Sequence, residues 1–69
     1  MEYCIKVTPD TFNLIDFRNQ DNFSMSNYIG SVGKYRYYSI TSKTLDNSTI
    51  ERIGKVRGVE KIFLPLSEN

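Results

Sequence analysis

Large apolar residues at Tyr3, Ile5 and Val7 alternate with Cys4 and Lys6, the two-residue period of a strand with one buried face. The spacing predicts a strand over 2–7. Thr8-Pro9-Asp10 follows, with a hydroxyl able to cap a helix, a proline whose missing N–H is harmless at the first helical position, and a carboxylate that suits the helix dipole. A helix over about 9–19 is expected from these signals. Its apolar stripe is broad, because Phe12 and Ile15 fall on one side and Leu14 and Phe17 on another.

Gln20 to Ser26 is polar, and Phe23, Met25, Tyr28 and Ile29 support only an irregular strand near 23–29. Gly30-Ser31-Val32-Gly33 reads as a turn, and Lys34 to Thr41 is the densest strand signal in the chain, expected as a strand over 34–42 hairpinned to 23–29. Two helix starts overlap beyond it: Asp46 as cap with Leu45 stapled to Ile50, or Ser48 as cap with Glu51 closing a capping box. Either opens a helix over about 47–57 with Ile50, Ile53 and Val56 on one face, Lys55 and Arg57 in the last turn and Gly58 at C′. A last strand over 60–66 alternates Ile62, Leu64 and Leu66 against Lys61 and Phe63, and Pro65 marks its end as an edge or an exit. The expected core sets Ile50, Ile53 and Val56 against Ile5, Ile40, Ile62 and Leu64.

The order strand, helix, strand, strand, helix, strand describes a single small globular α+β domain over 1–69. The expectation is a compact two-layer sandwich of ferredoxin-like βαββαβ arrangement, with a four-stranded antiparallel sheet and two helices on one face. The fallback, should the second strand fail, is a three-stranded sheet with a mobile 20–33 loop. A chain of 69 residues hides only about 60% of its unfolded surface, too little for a two-domain enzyme. Ala, Trp and His are absent, whereas Ile, Asn, Lys and Tyr number seven, six, five and five. That usage suits an AT-rich genome and the small accessory proteins of phages or mobile elements, and without Ala the helices rely on tertiary packing.

Nine Lys and Arg against eight Asp and Glu leave +1, so neither a DNA-mimicking polyanion nor a basic tail is supported. The charge is uneven: residues 1–33 carry net −2 and residues 34–69 net +3, which makes the second half the expected binding half. Arg36, Lys55, Arg57 and Lys61 are expected to form one patch near the end of the second helix. Without His, the single Cys4 has no general base and reads as a structural thiol. The carboxylates are explained by helix capping and solvated faces, and their spacing matches no zinc or calcium pattern. Gly30 to Lys34 leads into a strand, unlike a phosphate-gripping loop, and Asn22-Phe23-Ser24 and Asn47-Ser48-Thr49 match the glycosylation pattern by coincidence. No enzyme, cofactor or metal is expected. Apolar runs fall short of the ~20 residues of a membrane span and the start carries no signal peptide, so a cytoplasmic protein without membrane contact is expected.

The feature that stands out is the tyrosine strand. Alternation sets Tyr35 and Tyr37 on one face and Arg36, Tyr38 and Ile40 on the other. If Tyr38 and Ile40 face the helices, Tyr35 and Tyr37 lie on the open face, joined by Lys6 from the first strand and by Lys61 and Phe63 from the last. The expected binding residues are Tyr35, Arg36, Tyr37, Lys61, Phe63 and Lys6. Gly33-Lys34-Tyr35-Arg36-Tyr37-Tyr38-Ser39-Ile40 resembles the third-strand motif of RNA-recognition motif domains, with Arg36 where a small residue is usual, and the resemblance implies Tyr35 and Tyr37 as stacking positions. Lys55-Val56-Arg57-Gly58-Val59-Glu60-Lys61-Ile62 resembles the helix-to-strand corner of subtilisin-propeptide-like inhibitors, which implies Leu64 to Asn69 as a segment inserted into a protease. Ferredoxin-like domains of many functions share that corner, so no family is assigned. The leading expectation is a non-enzymatic module that docks on a partner protein and modulates or inhibits it. The alternative is RNA or single-stranded DNA bound on the tyrosine face, and the same open face offers a surface for a homodimer.

Overall fold

The computed structural model describes residues 1–20, 23–42 and 45–64. Four strands and two helices follow in the order β1 (Glu2–Val7), α1 (Leu14–Gln20), β2 (Phe23–Val32), β3 (Tyr35–Ser42), α2 (Asn47–Gly54) and β4 (Val59–Phe63). All three strand pairings are antiparallel and the sheet order is β2-β3-β1-β4. α1 therefore carries the chain from β1 past the place of β3 to the β2 edge, and α2 carries it from β3 past β1 to the β4 edge. The second strand exists, so the three-stranded fallback is set aside. It also runs further than expected. Val32 pairs with Tyr35, and Gly33 and Lys34 alone make the turn where 30–33 was expected to do so. Gly33 has φ +60 at the first of the two loop positions, the conformation a II′ hairpin turn requires there.

The core lies on one side of the sheet. Tyr3, Ile5 and Val7 of β1 and Tyr38 and Ile40 of β3 are buried together with Phe17 of α1 and Ile53 of α2. Register explains the grouping, because Tyr3 pairs with Ile40 and Ile5 with Tyr38, so their side chains share a face. Phe12 packs its ring 5.5 Å from Phe17 and 5.8 Å from Tyr38, and Tyr28 of β2 meets Tyr38 edge-on at 5.9 Å. Both helices thus bury their apolar sides against the same face of the sheet.

Several expected boundaries move, each for a tertiary reason. α1 begins at Leu14 instead of residue 9, because Thr8 is committed elsewhere: its N–H donates to Gly58 O at 2.8 Å and its hydroxyl to Glu60 Oε1 at 2.7 Å. The chain closes one turn on Thr8 O, lays Phe12 on the core, and starts again at Asn13, whose Oδ1 accepts from Asp16 N at 3.1 Å. Of the two starts offered for α2, Asp46 is the cap; its carboxylate accepts from Thr49 N at 2.8 Å and Ser48 Oγ at 3.0 Å. α2 ends at Gly54, short of 57, because the Lys55 N–H is shared between Glu51 O and Arg52 O and the Val56 N–H bonds three residues back to Ile53 O, which tightens the last turn. Gly58 is accordingly not a C′ residue. It forms the corner into β4, with φ +91 and a hydrogen direction aimed at the Phe12 backbone. β4 ends at Phe63, and Pro65 and Leu66 of the expected 60–66 strand lie outside the described residues. Leu64 is half exposed and is not a core residue, since the ladder with β1 stops one residue before it. No helix among the described residues is long and apolar enough to cross a membrane.

Candidate functional site

The sheet face away from the helices is where the sequence-derived site residues meet. The ladder sets Lys61, Lys6 and Tyr37 side by side across β4, β1 and β3, and sets Phe63, Cys4 and Ser39 side by side one level along. Tyr35 stands one level further in the opposite direction, paired with Val32 of β2. Five of the six expected binding residues, Lys6, Tyr35, Tyr37, Lys61 and Phe63, therefore share this face. Arg36 does not. It pairs with Val7 and Ser31 on the helix-covered side and lines a small hollow with Tyr28 and Tyr38. The expected basic patch is likewise divided: Lys61 belongs to the open face, whereas Arg57 lines a hollow with Thr11, Asn13 and Asp16 beside the helices.

Cations and rings interleave on the open face. Lys6 Nζ sits 4.2 Å from the Tyr35 ring centroid, Lys34 Nζ 5.4 Å from the same ring, and Lys61 Nζ 4.9 Å from the Phe63 ring. Such contacts, worth about 0.5–1 kcal/mol at exposed sites, hold the ammonium groups over the sheet. Tyr37 and Phe63 lie 6.2 Å apart with their planes tilted by 42°. None of the three lysines has a carboxylate partner among the described residues.

A shallow depression of about 450 Å³ opens beside the rings, bordered by Glu2, Cys4, Ile29, Ser39, Phe63 and Leu64. Ile29, Phe63 and Leu64 present apolar surface there, exposed by 57%, 38% and 50%. Cys4 and Ser39 were legible as neighbours of Lys6 and Tyr37 by parity alone. Ile29 was not, because the register shifts between Tyr28 and Gly30 and the simple alternation of β2 breaks at that point. Lys34 was missed as a member because its approach to Tyr35 depends on the two-residue turn.

Burial pushes the Cys4 thiol above its ordinary value, and Sγ donates only a long bond of 3.9 Å to Ile5 O. A protonated thiol without a neighbouring base is a poor nucleophile. Among the described residues no three Cys, Asp or Glu side chains gather as metal ligands. The segment expected to enter a protease, Leu64 to Asn69, lies outside the described residues apart from Leu64. Comparison with known family models, curated proteins and solved structures returns no match.

Proposed function

We propose that this chain is a small non-enzymatic binding module that docks on a partner protein through the open face of its sheet and modulates or inhibits that partner. The observation that carries the reading is the apolar strip of Ile29, Phe63 and Leu64, exposed on the face opposite the core and bordered by Lys61 and Glu2. Exposed apolar groups clustered within a polar rim are the makings of a protein contact surface. The element order and the β2-β3-β1-β4 sheet support a ferredoxin-like arrangement, in which this face has no helix over it. Composition supports a cytoplasmic accessory protein of a phage or mobile element.

The competing reading, single-stranded RNA or DNA on Tyr35 and Tyr37, draws on the same lysines. It is weaker because Lys6 occupies a face of the Tyr35 ring and Phe63 tilts against Tyr37, so neither ring stands free as a flat platform for a base. Fluorescence anisotropy with mixed-sequence single-stranded DNA and RNA at low salt separates the two. The protein-docking reading expects negligible binding. Tight, salt-sensitive binding abolished by Tyr37→Ala replaces it with the nucleic-acid one. A host protein retained on the immobilised chain and released by Phe63→Asp, with Ile15→Asp on the far side as control, supports docking through this face.

A further inference from the structure

We propose that the element seated on the open face is an acidic extended segment of the partner, with carboxylates at alternate positions to one side of a single bulky apolar anchor. This rests on the docking reading above and specifies its chemistry. Lys6, Lys34 and Lys61 are three cations without carboxylate partners among the described residues, held over rings instead of trailing into solvent. Glu2 is the acidic residue at the depression. A second copy of the chain would bring three more cations against a single Glu2, so the face carries an excess of positive charge against itself. An anionic partner gains three charge-assisted contacts at the rim while burying an apolar group in the depression.

The ladder also sets the spacing. The depression lies at the level of Cys4, Ser39 and Phe63, with the Lys61 ammonium over Phe63 at that level, and the Lys6 and Lys34 ammonium groups stand over Tyr35 two levels along. Each level is two residues of strand, about 6.6–6.8 Å. Side chains on one side of an extended segment repeat at the same interval. A bulky apolar residue over the depression therefore brings a carboxylate four positions away onto the Lys6 and Lys34 ammonium groups and one two positions away between these and the Lys61 ammonium. Glu2, at the opposite end of the face, repels a carboxylate placed beyond the anchor on the other side and so sets the polarity of the segment.

The test uses fluorescein-labelled peptides carrying two Asp at alternate positions on the N-terminal or the C-terminal side of one Phe, with Asn counterparts of each. Binding is read by anisotropy and the contact surface by amide shifts in 15N NMR. One Asp peptide is expected to bind about tenfold or more tightly than its Asn counterpart, to shift Cys4, Lys6, Tyr37, Lys61 and Phe63, and to weaken with salt. Lys6→Glu and Lys61→Glu each remove that preference; since the wild-type comparison of Asp with Asn peptides needs no variant, a misfolded substitution does not blunt the test. Equal binding of Asp and Asn peptides on the same face overturns the acidic segment and leaves the docking face standing. An oligonucleotide that shifts the same amides and displaces the peptides overturns both readings. No binding by any Asp peptide overturns the acidic segment, and capture with Phe63→Asp then judges the docking face separately.

Discussion

Adding one methyl group at Gly58 tests the corner on which the open face depends. Gly58 has φ +91, and a Cβ built there lies 2.6 Å from Phe12 N and 2.7 Å from Phe12 Cα and Cβ. An L side chain at such a φ costs about 1–2 kcal/mol, and forcing backbone apart at that distance costs about 1–3 kcal/mol. The loss of unfolded-chain freedom on replacing Gly by Ala returns about 0.4–1 kcal/mol, so Gly58→Ala should lose about 2–4 kcal/mol. A domain of this size holds about 3–5 kcal/mol in all, and each kcal/mol moves its melting point by about 4–8 °C. Two other glycines calibrate the result. Gly33 has φ +60 with nothing within 4 Å of its Cβ direction, so Gly33→Ala should cost only about 1 kcal/mol. Gly54 closes α2 with equally open space, and Gly54→Ala should gain up to about 1 kcal/mol. Thermal and urea denaturation followed by far-UV circular dichroism rank the three. Gly58→Ala melting like wild type would refute the packing of the Thr8–Phe12 turn on the β4 corner. It would also refute the mechanism that aligns Lys61 and Phe63 beside Lys6 and Cys4.

Truncating Ile53, 2% exposed in the core, should cost about 2–5 kcal/mol as Ile53→Ala; unchanged urea unfolding would mean that α2 presents another face. Ser26 Oγ is buried with no hydrogen-bond partner among the described residues, so Ser26→Ala should leave stability unchanged or raise it, and a marked loss in denaturation would reveal a partner. The Thr49 N–H bond holds the Asp46 carboxyl below its usual range, so the cap's contribution is present above the unfolded value of about 3.9 and is lost as pH falls through the lower folded value. Melting curves from neutral to acid pH should show Asp46→Asn losing less than wild type below about pH 4, and parallel losses would deny the cap this role. If the three cations keep copies of the open face apart, Lys6→Gln with Lys61→Gln should promote self-association in sedimentation velocity, whereas a monomer at every concentration would show that charge does not guard this face.

β1 and β3 were legible to within a residue because strict alternation of large apolar or aromatic residues leaves a strand one way to bury its face. The same parity places Lys6, Tyr35, Tyr37, Lys61 and Phe63 together from the sequence alone. What stayed hidden depends on partners far along the chain. Thr8 looks like a helix cap in isolation, but Glu60, 52 residues later, claims its hydroxyl. Pro9 and Asp10 then sit in a turn. Leu64 continues the alternation of β4 on paper, but β1 has no ladder pair for it. β2 carries weak local signal because two register shifts interrupt its pattern, and it is defined by its partner β3.

Helices of seven and eight residues limit what this chain can cover. Each fully buries one apolar side chain, Phe17 or Ile53, and together they screen one face of a four-stranded sheet. The other face must meet water or a partner with whatever side chains the strand period puts there. Lysine ammonium groups held over tyrosine and phenylalanine rings meet that requirement: they cover aromatic carbon on one side and keep their charge toward water on the other. Stability therefore resides at Ile5, Phe17, Ile40, Ile53 and the Gly58 corner, and the residues available for recognition are those the core does not use. The two sets meet at β1, whose alternate residues serve each in turn: Tyr3, Ile5 and Val7 inward, Glu2, Cys4 and Lys6 outward. A substitution at Lys6 or Lys61 resets the charge of the face without entering the core, so on the docking proposal this surface can change what it binds while the fold beneath it stays the same.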